Sequence, residues 1–84
     1  MRILVVEDER RIADFIARGL KEEHYAVDVA YDGQQGLFLA ESNPYDCMIF
    51  DIMLPFKDGI AMCQELRAKK NNTPILMLTA RGAV

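Results

Sequence analysis

Short runs of strand-like residues alternate with helix-like stripes along the whole chain, and this alternation limits the fold more than any other feature. Ile3-Leu4-Val5-Val6 is a compact apolar run rich in β-branched residues, and it reads as a buried strand. It ends at Glu7-Asp8-Glu9. Ile12, Phe15, Ile16, Gly19 and Leu20 follow at the spacing of an amphipathic helix, with Arg10, Arg11, Arg18, Lys21 and Glu22 largely on the other face. Asp8 is the expected N-cap, because a short acidic side chain suits the positive end of a helix. Tyr25 to Ala30 reads as a second strand with mixed exposure, hence an edge strand. Asp32-Gly33 marks a turn, and Gly36 to Glu41 reads as a short helix ended by Asn43-Pro44. Cys47-Met48-Ile49-Phe50 is a third buried strand ending at Asp51, with a loop from Pro55 to Gly59 beyond it. Ile60, Cys63 and Leu66 are expected to line one face of a third helix, closed by Lys69-Lys70 and Asn71-Asn72. Ile75 to Leu78 is the fourth strand, followed by Thr79.

The order β-α-β-α-β-α-β implies right-handed crossovers and a parallel sheet covered on both faces, an α/β fold in one domain. Composition agrees: 51% of the 84 residues are apolar, enough for a core and too many for disorder. The net charge of −3 offers no basic footprint for nucleic acid or an anionic membrane. Cys47 and Cys63 read as reduced thiols acting as small apolar residues. No CxxC pair exists and His24 is the single histidine, so the sequence gives little support to a thiolate–imidazole metal site. There is neither a signal-peptide pattern nor an apolar stretch near the ~20 residues of a membrane span, and a cytoplasmic location is expected.

Ligands of open α/β sheets bind beyond the carboxyl ends of the strands. There the sequence places Glu7 and Asp8 after strand one, Asp51 after strand three and Thr79 after strand four. Crowded carboxylates repel one another unless something neutralises them. A hard divalent cation such as Mg²⁺ does so through oxygen ligands and keeps waters that a phosphate can replace. The plainer reading is that each acid is a cap or turn residue, which fits any one of them better than all together.

Val5-Val6-Glu7-Asp8-Glu9, Phe50-Asp51-Ile52-Met53-Leu54-Pro55 with Asp58-Gly59, and Leu78-Thr79-Ala80-Arg81 closely resemble the receiver domains of two-component response regulators. The likeness is strongest to the OmpR/PhoB type, which commonly carries a DNA-binding domain further along, and it runs the length of the chain. The resemblance implies a flavodoxin-like (CheY-like) fold. It implies a phosphoryl group accepted on Asp51 from a sensor histidine kinase. It further implies Mg²⁺ held by Asp8, Asp51 and the backbone carbonyl of Met53, with Glu7 assisting through water. Thr79 would contact a phosphoryl oxygen, Ala80 would leave space beside it, and Pro55 and Gly59 would shape the loop after the acceptor. Such a chain is a signalling module, not an enzyme.

Residues 1–84 would then be a partial receiver, lacking the last helix-strand-helix of the family, its lysine and its aromatic switch residue. An exposed fourth strand and uncovered sheet make a homodimer or higher oligomer the expectation, and a self-assembling fragment that no longer signals is the alternative function. Phe56, Gln35, Ala61 and Gln64 depart from the family's habit, and Phe56, Ala61 and Met62 could form an apolar surface patch. Two other classes fit less well. A haloacid-dehalogenase-type enzyme wants a second Asp two positions after the nucleophile, where this chain has Met53. A dinucleotide site needs a glycine-rich turn after strand one, where Glu7-Asp8-Glu9 would repel pyrophosphate.

Overall fold

A computed structural model describes residues 1–54 and 57–78. Four parallel strands form one sheet in the order β2-β1-β3-β4, with β1 at Arg2–Val6, β2 at Ala26–Ala30, β3 at Cys47–Asp51 and β4 at Ile75–Leu78. The helices are α1 (Arg10–Glu22), α2 (Gly33–Ser42) and α3 (Gly59–Ala68). Placing β1 beside β3 leaves β2 on an edge, as its mixed pattern implied.

Strand alternation divides the core in two. Leu4, Val6, Met48 and Phe50 face α2 and α3, where they meet Leu37, Ala40, Met62 and Leu66. Ile3, Val5 and Ile49 face the opposite side, against Ile16 and Leu20 of α1. Phe50, Leu4, Met48, Met62 and Leu66 are fully buried. Burial of each such side chain contributes about 1.5–3 kcal/mol against chain entropy.

Two helices depart in part from their expected faces. In α1 Ile16 and Leu20 pack against the sheet as expected, but the buried residues are Ala13 and Ala17, while Ile12 is exposed and Phe15 is 76% exposed. The small alanines fill the most buried positions, and the face centres between them and Ile16 and Leu20, which leaves Ile12 and Phe15 outside it. In α3 the buried side chains are Met62 and Leu66, Cys63 is half-buried and Ile60 is 49% exposed.

The helix ends differ from expectation too. Glu9, not Asp8, occupies the N-cap of α1, and it makes no side-chain cap bond. α2 starts at Gly33, because Asp32 caps it by accepting from the Gln35 amide at 2.8 Å. Gln35 Oε1 in turn accepts from the Tyr31 amide at 3.1 Å. Asp58 caps α3 by accepting from the Ala61 amide at 2.7 Å. Tyr25 precedes β2 and closes α1. Its amide donates to the Leu20 carbonyl at 3.2 Å and the His24 amide donates to Lys21 at 2.9 Å, with His24 left-handed at φ 69°. Lys70, at φ 63°, ends α3 in the same way.

At the amino ends of the strands, Arg2, Asp28 and Tyr45 form one polar cluster. Asp28 Oδ2 accepts from Arg2 Nη2 at 2.8 Å and from the Tyr45 hydroxyl at 2.7 Å. Both partners hold the Asp28 carboxyl below the usual range, the Tyr45 hydrogen bond most strongly.

Candidate phosphoacceptor and metal site

The register of β1 on β3 builds the site. Val6 pairs with Phe50, so the residue that follows each, Glu7 just past β1 and Asp51 at the end of β3, sits side by side at the carboxyl edge of the sheet. Asp8 follows Glu7 before α1 begins. One carboxylate oxygen from each of Glu7, Asp8 and Asp51 lies within 4.8 Å of the others. The fold thus brings together the three acids that the sequence singled out.

Their environments differ. Glu7 is 7% exposed, Asp51 is half-buried and Asp8 is exposed. Glu7 Oε2 is buried without a hydrogen-bond partner. Burial foremost, then a hydrogen bond to Asp51 and the charges of Asp51 and Asp8, pushes the Glu7 carboxyl up to about 8. A buried, unsatisfied carboxylate oxygen facing two further acids is an all-oxygen donor set that lacks positive charge, and it fits a hard divalent cation of the Mg²⁺ kind.

The chain after Asp51 is held close. The Met53 amide donates to Asp51 Oδ1 at 3.2 Å, fixing the carboxylate. The Met53 side chain is exposed, and only the backbone of this residue engages the site. Leu54 is buried in the α2–α3 side of the core and anchors the segment, a role hidden in sequence because an isolated apolar residue in a loop has no period. Gly59 donates its amide to the Ile52 carbonyl at 3.0 Å. A β-carbon on Gly59 would overlap the Asp51 carbonyl oxygen and lie 3.1 Å from its carbonyl carbon, so glycine is required there by space. Thr79, Ala80, Pro55 and Phe56, to which the sequence assigned a phosphoryl contact, an adjoining space, a turn and part of a patch, lie outside the described residues. Ala61 is half-exposed and Met62 is fully buried, so Met62 adds nothing to a surface patch. Among the described residues no helix is long and apolar enough to cross a membrane.

Comparison with known proteins agrees with this geometry. The family model for the response regulator receiver domain matches residues 3–84. The transcriptional regulatory protein TcrA of Mycobacterium tuberculosis is 46% identical over 84 residues, which are all of this chain and 33% of TcrA. The response regulator ArlR of Staphylococcus saprophyticus is 45% identical over 81 residues, or 96% of this chain and 36% of ArlR. The chain thus spans about a third of the length of these relatives. The receiver domain of Francisella response regulator 1452 superposes with a TM-score of 0.91 at 39% identity, covering 94% of this chain and 65% of that one. TrrA of Thermotoga maritima, solved in complex with Mg²⁺ and BeF, superposes at 0.89 with 40% identity, covering 94% and 69%. The strand order, the acid cluster at the carboxyl edge and these matches make the chain a member of the response regulator receiver family, of the OmpR/PhoB type.

Proposed function

We propose that this chain is the phosphoacceptor module of a two-component response regulator and takes a phosphoryl group on Asp51 from a histidine kinase. The observation that carries the reading is the meeting of Glu7, Asp8 and Asp51 at one point, with a buried Glu7 oxygen left unsatisfied. Mg²⁺ would be held by Asp8, Asp51 and the Met53 carbonyl, with Glu7 assisting, and when bound it supplies the positive charge that two approaching anions require. The Mg²⁺ and BeF bound to TrrA support this assignment. Family membership supports a histidine kinase as partner, and we place the site of action in the cytoplasm.

Asp51 does the chemistry. One carboxylate oxygen is fixed by the Met53 amide, and the other attacks phosphorus. A P–O bond to Asp51 forms as the P–N bond to the donor histidine breaks, and the imidazole leaves with its electron pair. The product acyl phosphate adds negative charge beside Glu7 and Asp8, so a hydrogen-bond donor must answer it, and Thr79 is the donor assigned. The module assists its own modification but acts as a switch, not as an enzyme on other substrates. A self-associating fragment that no longer signals is the less favoured reading, since the relatives matched are response regulators.

Intact mass after incubation with acetyl phosphate and Mg²⁺ tests the proposal. A gain of one phosphoryl group, absent from Asp51→Asn, is expected. Folded protein that gains nothing would refute it.

A further inference from the structure

The outer face of α1 carries Arg11, Phe15, Arg18 and Glu22, spaced alternately four and three residues apart, which is the period of a helix that packs on another helix. All four are exposed, and the stripe lies opposite Ala13, Ala17 and Leu20 on the sheet side. Ile12 and Gly19 flank it on one edge, Asp14 and Lys21 on the other. Beside Phe15 runs a groove bordered by Arg18 and Glu22. Gly19 lies in it, and a β-carbon built there would meet nothing within 4 Å.

The charges of this face work against the helix that carries them. Arg11 lies in the first turn, which holds no acid, and Glu22 in the last, whereas the helix dipole favours the reverse. Among the described residues Arg11, Arg18 and Glu22 have no ion-pair partner. The stripe is complementary to itself, however. Laid antiparallel on a second copy, it sets Arg11 against Glu22 and Phe15 against Arg18, and the twofold axis repeats both contacts. At the edges Asp14 meets Lys21, and Ile12 crosses Gly19. Asp14 is already held in place: the Tyr31 hydroxyl donates to its Oδ1 at 3.2 Å, and the Arg10 guanidinium lies 4.0 Å from the centre of the Tyr31 ring. A parallel arrangement would set like charges against one another.

We propose that the outer face of α1 docks a second copy of this chain, the two helices pairing antiparallel with Phe15 of each copy seated in the other's groove over Gly19. Each Phe15 ring then offers its face to an Arg18 guanidinium. The inference is independent of the reading of Asp51 and uses neither the acid cluster nor β4. One helix of 13 residues from each copy is a small contact beside a standard interface, so a Kd of about 10–100 µM is expected.

Sedimentation equilibrium of the full chain between about 1 and 500 µM tests the proposal. Arg11→Glu and Glu22→Arg each place a charge where the helix dipole favours it, so both variants keep the helix, as circular dichroism will show. Each turns two attractive contacts of the dimer into two repulsive ones, and Kd should rise about tenfold. Phe15→Ala, at an exposed position, should weaken association by a similar factor. An equimolar mixture of Arg11→Glu with Glu22→Arg restores both pairs, as does the double variant, and each should associate within about threefold of wild type. General stickiness of the surface, or pairing through another face, would show no such recovery. A wild-type chain that stays monomeric throughout the range, single variants that associate as wild type does, or a mixture that fails to recover would overturn the assignment.

Discussion

Replacing Glu7 by Gln should abolish a pH dependence of stability that the acid cluster imposes on the metal-free protein. The folded state holds a proton on Glu7 up to about pH 8, whereas the unfolded chain releases it near 4.5. Between those values the native state binds more protons than the unfolded one, so wild-type stability falls as pH rises through the window and is flat on either side. At ~1.4 kcal/mol per tenfold change in proton affinity, the displacement sets a ceiling of about 5 kcal/mol. Asp8 is exposed and Asp51 only half-buried, so water screens much of the repulsion, and about 2 kcal/mol is the expected loss. Glutamine keeps the shape and carries no charge at any pH. Glu7→Gln should therefore match wild type near pH 5 and exceed it by about 2 kcal/mol near pH 9. Urea unfolding in EDTA from pH 5 to 9 would show this as midpoints about 1–2 M apart at the alkaline end. The other displaced carboxyl, Asp28, is lowered and acts below pH 4, and Tyr45, raised to about 12, acts above pH 10, so neither blurs the window. Parallel profiles for the two proteins would refute the reasoning.

Two further perturbations read the scaffold. His24→Gly and Lys70→Gly relieve left-handed residues at the ends of α1 and α3, and each should stabilise by about 1 kcal/mol, seen as a rise in Tm of roughly 4–8 °C. Tyr45→Phe removes a 2.7 Å hydrogen bond to Asp28 but leaves Arg2 in place, and about 1.5 kcal/mol of destabilisation is expected in chemical denaturation, with the loss shrinking as Asp28 is protonated below pH 4.

The strands and the site were legible in sequence for a shared reason. A parallel strand buried on both faces needs an unbroken apolar run, so Ile3–Val6 and Cys47–Phe50 announce themselves, and the first polar residue after each run must sit at the carboxyl edge. Helix orientation was legible only in part, because a stripe drawn through the largest apolar residues overlooks small ones. Ile16, Leu20 and Leu66 lie on the core side as expected, but Ala13 and Ala17 carry little hydrophobic signal, yet they are the most buried residues of α1, and Phe15 is left in solvent. Met62 wins the core position over Ile60 for a related reason. The capping register of α3 is set by Asp58, and Met62 then falls four residues after the cap, with its amide on the Asp58 carbonyl at 3.0 Å. The contact of Gly33 with Lys57 was invisible as well, since it joins the first turn of α2 to a segment distant in sequence, largely through backbone atoms that no side-chain pattern encodes.

The instability expected at Glu7 and the binding chemistry assigned to the site have one origin. β1 and β3 are neighbours in register, so Glu7 and Asp51 cannot separate without unzipping Val6 from Phe50, both fully buried. The repulsion is therefore stored rather than relaxed. A proton answers it for Glu7 alone, which leaves Asp51 facing a second acid. A divalent cation, as proposed, would answer it for the cluster as a whole and would release that proton on binding. Affinity for Mg²⁺ should accordingly rise with pH up to about 8 and then level off. In the proposed reaction, the rigidity that makes the metal-free site costly would also present Asp51 in one orientation to an incoming phosphoryl group.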